Sequence, residues 1–226
     1  MMRTHPRLTR ALSLLAVPFL LVTAAQPASA IADVADPPGP WLRTTVERIR
    51  KLATRTVKPD SPEEEQWKKD VKEAVDEILD WPELTKLALG RNWKERTPAE
   101  QQSFSKLLRE MIEASYQSKL KLAARGKINK PAEVKLDWAK EEVTGAKAQA
   151  LAKIQADKTK SDLLFKLRWD GKRWRVYDLS IDDVSSVSTY RSQFGKIIDK
   201  DGFPALIKRM EKKVVELREG KGELAP

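Results

Sequence analysis

Apolar residues return every three or four positions along most of this chain, switch to every second position in one central stretch, and then resume the wider spacing. The first helical pattern follows a small, proline-rich passage. Pro37, Pro38, Gly39 and Pro40 read as an extended leader, and Trp41, Leu42, Val46, Ile49, Leu52 and Ala53 then fall near one face until about Lys58 and Pro59. Ser61-Pro62-Glu63-Glu64 sets a hydroxyl cap, a proline at the first helical position and a glutamate at the third, which predicts a second helix with Trp67, Val71, Ala74, Val75 and Ile78 on its apolar stripe. Asp80 caps a short successor with Leu84, Leu87, Ala88 and Leu89, and Gly90 stops it. Thr97-Pro98-Ala99-Glu100 repeats the capping signal, and helical spacing then runs from Phe104 through Leu107, Leu108, Met111, Ile112, Tyr116 and Leu120 to Ala123, ending at Gly126.

After Pro131 the period becomes two. Val134, Leu136 and Trp138 alternate with charges, Ala146, Ala148, Ala150, Ala152 and Ile154 alternate with Lys147, Gln149, Lys153 and Gln155, and Leu163, Phe165, Leu167 and Trp169 form a third row. Asp170-Gly171 predicts a two-residue hairpin. Its register would set Trp169 opposite Lys172, Leu167 opposite Trp174, Phe165 opposite Val176 and Leu163 opposite Asp178, which puts one apolar and one wet face on the sheet. Two helices close the chain, from about Val184 to Lys200 and from Pro204 to Arg218, separated by Asp201-Gly202. The expected fold is therefore α+β: helices on one face of a twisted, roughly four-stranded antiparallel sheet, with an apolar cavity between.

The second strand is unusual for a helix-covered sheet, because it offers alanine where bulky branched side chains normally fill the space. Two explanations stand. A helix backbone approaches closely over the alanines, or a groove is left there whose missing volume is supplied by an apolar ligand. Trp138, Trp169, Trp174, Phe165, Tyr116 and Phe194 would wall such a groove. Burying hydrocarbon is worth about 0.8 kcal/mol per methylene, so one long acyl chain would contribute roughly 10 kcal/mol before ordering costs.

The chain ends and composition narrow the possibilities. Arg3, Arg7 and Arg10 precede an apolar run from Ala11 to Ala25 and the triplet Ala28-Ser29-Ala30, the pattern of a signal peptide over residues 1–30, cleaved after Ala30. Residues 31–40 would be the leader, 41–218 one domain and 219–226 a tail. Roughly 190 residues would remain after cleavage, enough for one sizeable core. The product would be exported and free of the membrane, since later apolar runs meet a charge within about ten residues. With no cysteine, and with His5 the single histidine and in the discarded segment, thiolate and Ser-His-Asp catalysis and an imidazole-bound zinc are excluded. Lys and Arg total 43 against 33 acids, which after cleavage leaves about +7; such a surface in an exported protein favours anionic lipid headgroups or an acidic protein over nucleic acid.

The segment Trp174-Arg175-Val176-Tyr177-Asp178-Leu179-Ser180-Ile181-Asp182-Asp183-Val184-Ser185-Ser186-Val187, with Tyr190-Arg191-Ser192-Gln193-Phe194 after it, is similar to the signature of the MlaC family of periplasmic phospholipid carriers, also described as toluene-tolerance auxiliary proteins of ABC transporters. Leu89-Gly90-Arg91-Asn92-Trp93, the Thr97-Pro98-Ala99-Glu100 opening with Phe104, and Gly202 keep the family's order, so the resemblance covers roughly residues 61–215. Where the family usually carries a glycine, this chain has Ser185 or its neighbour. The resemblance implies a monomeric periplasmic shuttle without a cofactor, serving outer-membrane lipid asymmetry. Its cargo would be a phospholipid whose acyl chains lie between helices and sheet. The partners it implies are an inner-membrane MCE-domain ABC transporter and an outer-membrane lipoprotein–porin complex, with no nucleic acid. A related subgroup points to a hopanoid or another polycyclic lipid as alternative cargo.

Candidate cavity residues on the helices are Leu89, Phe104, Leu108, Ile112 and Tyr116, with Val187, Tyr190, Phe194 and Ile198 from the later helix. On the strands they are Val134, Trp138, Ala148, Ala150, Ala152, Phe165, Leu167, Trp174 and Val176. No residue is expected to be catalytic and none to bind metal. Two other classes compete: an isomerase-like enzyme using Asp178, the carboxylate that the expected register turns inward, and a periplasmic interaction protein without ligand. Asp182 and Asp183 are expected to cap the helix that follows them.

Overall fold

The computed structural model describes residues 36–126, 135–156 and 159–221, so the proposed signal peptide and Val134 lie outside the described residues. Helix boundaries follow the capping residues. α1 spans Gly39–Thr54, α2 Pro62–Ile78 and α3 Trp81–Leu89, and a 3-10 helix covers Gly90–Glu95. Then come α4 at Pro98–Ala124, α5 at Ser186–Asp201 and α6 at Phe203–Arg218. Ser61 Oγ accepts from the Glu64 amide at 3.3 Å, and Asp80 Oδ1 accepts from the Glu83 amide at 3.1 Å. At α4 the box closes both ways, with the Glu100 amide donating to Thr97 Oγ1 at 3.3 Å and the Thr97 amide to Glu100 Oε2 at 2.8 Å. Glu64 departs from that pattern: its carboxylate is buried and accepts from the Asp60 amide at 2.6 Å.

The sheet holds β1 (Lys135–Thr144), β2 (Lys147–Ala156), β3 (Thr159–Trp169), β4 (Trp174–Ile181) and the two-residue β5 (Val184–Ser185), antiparallel and in sequence order. The class is α+β as expected, with a short fifth strand added. The β3–β4 register differs from the expected one. Trp169 pairs with Trp174, Arg168 with Arg175 and Leu167 with Val176, and a bulge after Lys166 brings Phe165 opposite Leu179 and Leu163 opposite Ile181.

Two side-chain effects explain the difference. Asp170 Oδ1 accepts from the amides of Lys172 and Arg173, both at 2.9 Å, and the Asp170 amide donates to the Arg173 carbonyl, so four residues close the loop rather than two. The bulge then turns Asp178 to the side of Lys166, away from the alanines. The two-residue hairpin lies instead at Asp182 and Asp183, whose φ values are 47° and 66°. Aspartate tolerates that left-handed geometry, and Asp182 Oδ1 accepts from the Asp162 amide at 2.8 Å. These two aspartates therefore make a turn and do not cap α5; Ser185 Oγ does that, accepting from the Ser188 amide at 3.0 Å.

The like-charged cross-strand pair Arg168 and Arg175 is separated by acids and carbonyls. Arg168 reaches the buried Asp80 at 2.5 Å, while Arg175 binds Asp170 at 2.8 Å and donates to the Asp76 and Leu79 carbonyls, both at 3.1 Å. Those carbonyls belong to the C-terminal end of α2, where a cation is favoured. The Asp80 amide donates to the Val176 carbonyl at 2.8 Å, which fastens the α2–α3 junction to the edge of β4.

Apolar packing divides into separate clusters. One joins α3, α4, α5 and α6 through residues such as Leu89, Phe104, Leu108, Phe194 and Leu206, and Phe104 meets Phe194 edge-on at 5.6 Å. A second joins the alanine face of the sheet to α1 and the end of α2. A small third cluster holds Val57, Trp67 and Val71.

Burial pushes the Asp170 carboxyl up, but hydrogen bonds from the Arg173 amide, the Arg175 guanidinium and the Lys172 amide outweigh it and hold the group at about 2. A folded value below the ordinary carboxylate range means that this contribution is complete above about pH 4 and disappears as pH falls through about 2. Asp170→Ala should cost about 1–2 kcal/mol at pH 7, a Tm drop of about 3–6 °C by thermal melting, and the gap to wild type should narrow in acid.

Candidate functional site

Small side chains on β2 determine what can lie above the sheet. Ala148, Ala150 and Ala152 are at most 3% exposed, between Phe165 and Leu167 of β3 on one side and Trp138 of β1 on the other. Pairing is Ala148 with Leu167, Ala150 with Phe165 and Ala152 with Leu163. The alanines thus form the floor of a trough whose walls are larger residues, and the Trp138 ring stacks on Phe165 at 5.6 Å and 25°.

α1 lies over the trough. Leu42 is completely buried in the same cluster, with Trp41, Val46 and Ile49 packed beside it. The beginning of α1 is fastened to the sheet by polar contacts: Trp174 Nε1 donates to the Asp36 carbonyl at 3.0 Å and the Gly39 amide donates to Glu141 Oε1 at 3.0 Å. A Cβ on Gly39 would fall 2.0 Å from Glu141 Oε2, so any larger residue there would displace the Glu141 carboxylate from its present position. The middle and the end of α1 are fastened to α2, where Arg48 pairs with Glu77 and Trp67 Nε1 donates to the Leu52 carbonyl at 2.7 Å. Of the two explanations for the alanine row, the structure shows the covering helix: α1 lies across the floor of small residues and its own side chains fill the space where an apolar cavity was expected.

The trough is open on one side, because β1 is the sheet's edge strand among the described residues. There a groove of about 600 Å³ lies between α1 and the start of β1, floored by Val46, Leu136 and Trp138. The same three side chains pack against the cluster over the alanines, so the groove and the trough share a wall. A second groove, of about 540 Å³, lies between α3 and α4 beside Trp81, Trp93 and Pro98.

The residues expected to line one cavity are distributed over three clusters. Trp138, Ala148, Ala150, Ala152, Phe165, Leu167, Trp174 and Val176 come together around Leu42. Leu89, Phe104, Leu108, Ile112, Val187, Tyr190, Phe194 and Ile198 belong to the packing between α3, α4, α5 and α6. In that group Tyr190 stacks on Phe194 at 5.6 Å, and burial pushes its hydroxyl up to about 12. Tyr116 packs against the Val57, Trp67 and Val71 cluster. Leu42, Val46, Ile78 and Leu136 also pack in the cluster around the alanines, which sequence reasoning did not place there. The apolar stripe of α1 was the available signal, but a stripe does not name the surface it covers.

Asp178, expected on the inner face, is instead a structural anchor. It is 5% exposed and accepts from the Val187 amide at 3.1 Å, Ser185 Oγ at 2.8 Å and Lys166 Nζ at 3.1 Å. These three donors hold its carboxylate at the beginning of α5, away from the trough, which leaves the isomerase-like reading without its base. Among the described residues no group of three or more His, Cys, Asp or Glu side chains is placed to hold a metal ion, and no helix is long and apolar enough to cross a membrane.

A model of the family described as MlaC protein matches residues 45–212. A search of curated proteins returns no match. Among solved structures, a phospholipid-binding protein from Ralstonia solanacearum, determined in complex with a phospholipid, superposes with a TM-score of 0.63 at 19% identity, covering 78% of this chain and 96% of that one. At that identity the superposition establishes the shared fold.

Tyr116 Oη is buried and, among the described residues, makes no hydrogen bond of good geometry, with only a weak approach from Gln117; desolvation pushes its pKa up. Removing an unsatisfied hydroxyl restores its desolvation cost, so Tyr116→Phe should be neutral or stabilising by up to about 1–2 kcal/mol in urea melts. Tyr190→Phe in the same assay serves as the comparison.

Proposed function

The chain belongs to the MlaC family, and from that premise we propose that it is a periplasmic carrier that takes a phospholipid's acyl chains between α1 and the alanine floor of the sheet. The observation that carries this reading is the row Ala148, Ala150 and Ala152, buried beneath a helix whose own side chains fill the space above. Alanine gives an incoming chain a smooth floor, and Leu42, Val46 and Ile49 are side chains that a hydrocarbon replaces with little chemical change. Toward the sheet, the polar ties of α1 lie at its start, Asp36 to Trp174 and Gly39 to Glu141, so on this reading the helix rises while the sheet keeps its ladder. Exchanging protein hydrocarbon for lipid hydrocarbon in a dry trough lowers the net cost of opening.

Support for phospholipid as the cargo comes from the structural neighbour, which was determined with one bound. The export pattern over residues 1–30 supports a periplasmic location. On this reading the carrier exchanges lipid with an inner-membrane MCE-domain ABC transporter and an outer-membrane lipoprotein–porin complex, and acts by binding rather than catalysis. The confinement of Asp178 by three donors supports that last point.

Solvent extraction and mass spectrometry of the purified mature protein should recover about one phospholipid per chain, since each acyl chain buried contributes roughly 10 kcal/mol at 0.8 kcal/mol per methylene. Ala150→Leu raises the floor of the trough and should lower lipid occupancy at least about tenfold while costing about 1–3 kcal/mol of stability. A protein that yields no lipid after gentle purification, and takes up none from vesicles, is not a carrier.

A further inference from the structure

The groove beside the trough carries charges in a pattern that the apolar cluster does not need. Its floor is Val46, Leu136 and Trp138, and its rim holds Arg43 and Arg50 from α1 and Lys135 from β1. Two acids share the rim. Glu47 is engaged by Arg50 at 2.7 Å and 2.8 Å, and Asp137 projects from the edge strand. Arg43 and Lys135 are exposed, and neither forms an ion pair among the described residues. Arg43 instead lies over the Trp138 ring at 5.6 Å. Trp138 therefore faces two ways: one contact is with a cation at the groove, the other is its stack on Phe165 above the alanines.

Resting on the carrier reading above, we propose that this groove is the headgroup site and side entrance. The phosphate diester of the lipid sits between Arg43 and Lys135, and the acyl chains pass Trp138 into the trough. The charge balance fits a single negative group: three cations face two acids, and one acid is already neutralised by Arg50. The location fits too, because among the described residues no strand pairs with the outer side of β1, so a chain can enter sideways without breaking a strand pair. Trp138 turns away from Phe165 as the tail enters, and Arg43 exchanges the ring for the phosphate.

The test compares uptake of two lipids with the same tails by the mature protein, phosphatidylcholine from vesicles of that lipid and diacylglycerol carried in the same vesicles. Wild type should prefer the phosphate-bearing lipid by about tenfold or more, and the double variant Arg43→Glu/Lys135→Glu should lose that preference while still loading diacylglycerol. Using zwitterionic vesicles keeps general membrane charge out of the comparison. Arg43→Lys, which keeps the charge, should retain most of the preference, and equal thermal melts for all variants establish folding. Millimolar inorganic phosphate should not compete, because the site gains its ligand through the attached tails. A wild type that loads both lipids equally, a double variant that keeps the preference, or effective competition by free phosphate would overturn the headgroup site and leave the carrier intact. A wild type that loads neither lipid overturns both.

Discussion

The structure depends on one packing constraint: three alanines in a row leave the sheet too shallow to complete a core without a cover. Side chains of α1 supply that cover, with Leu42 fully buried over the floor and Val46 and Ile49 beside it. A shallow floor and a helix bearing branched residues form one complementary surface, as interior packing density requires. The same arrangement makes the cover exchangeable. A leucine or valine side chain and a length of acyl chain are chemically alike, which is the basis on which the proposed function places lipid in the trough.

Polar contacts decide where that exchange is allowed. The helical cluster beyond β4 is fastened to the sheet by buried carboxylates: Asp80 accepts from Arg168 and the Glu83 amide, and Asp178 accepts from Lys166, Ser185 and the Val187 amide. Removing either acid would leave buried donors unpaired, which keeps this side of the molecule closed. On the α1 side the polar ties are Asp36 to Trp174 and Gly39 to Glu141 at the start of the helix, Arg48 to Glu77 in its middle and Leu52 to Trp67 near its end, and its remaining contact with the sheet is largely apolar. Buried carboxylates therefore tie β4 to α3 and α5, whereas the surface between α1 and the sheet is mainly apolar, which is where the proposed function places the lipid.

Much of this was legible in the sequence, for reasons that lie in particular residues. Ser61, Asp80 and Thr97 mark helix starts because a short side-chain oxygen satisfies amides that the helix itself cannot, and Gly90 and Gly202 mark stops through positive φ. The alanine row was plain as well, since period-two alternation fixes which side chains share a face. The β3–β4 register was not, because Asp170 binds two amides of its own loop and lengthens the turn, and a bulge at Lys166 then reverses the facing of Asp178. The partner of the alanine row was hidden for a different reason. Periodicity shows that α1 has an apolar stripe, whereas the tie that directs it, Gly39 to Glu141, spans a hundred residues and rests on a bulge between Trp138 and Lys140 that no local pattern announces.

In the proposed function, lipid takes the space that α1 side chains fill above the alanines, and loading is then expected to lift the helix from the sheet. The chain has no cysteine, which lets spin labels be placed at Lys51→Cys on the exposed side of α1 and Gln149→Cys on the exposed side of β2 without competing sites. The distance between the two labels, measured by pulsed electron resonance before and after loading with phospholipid, should lengthen by several ångström. An unchanged distance in a protein shown to carry bound lipid would contradict the account.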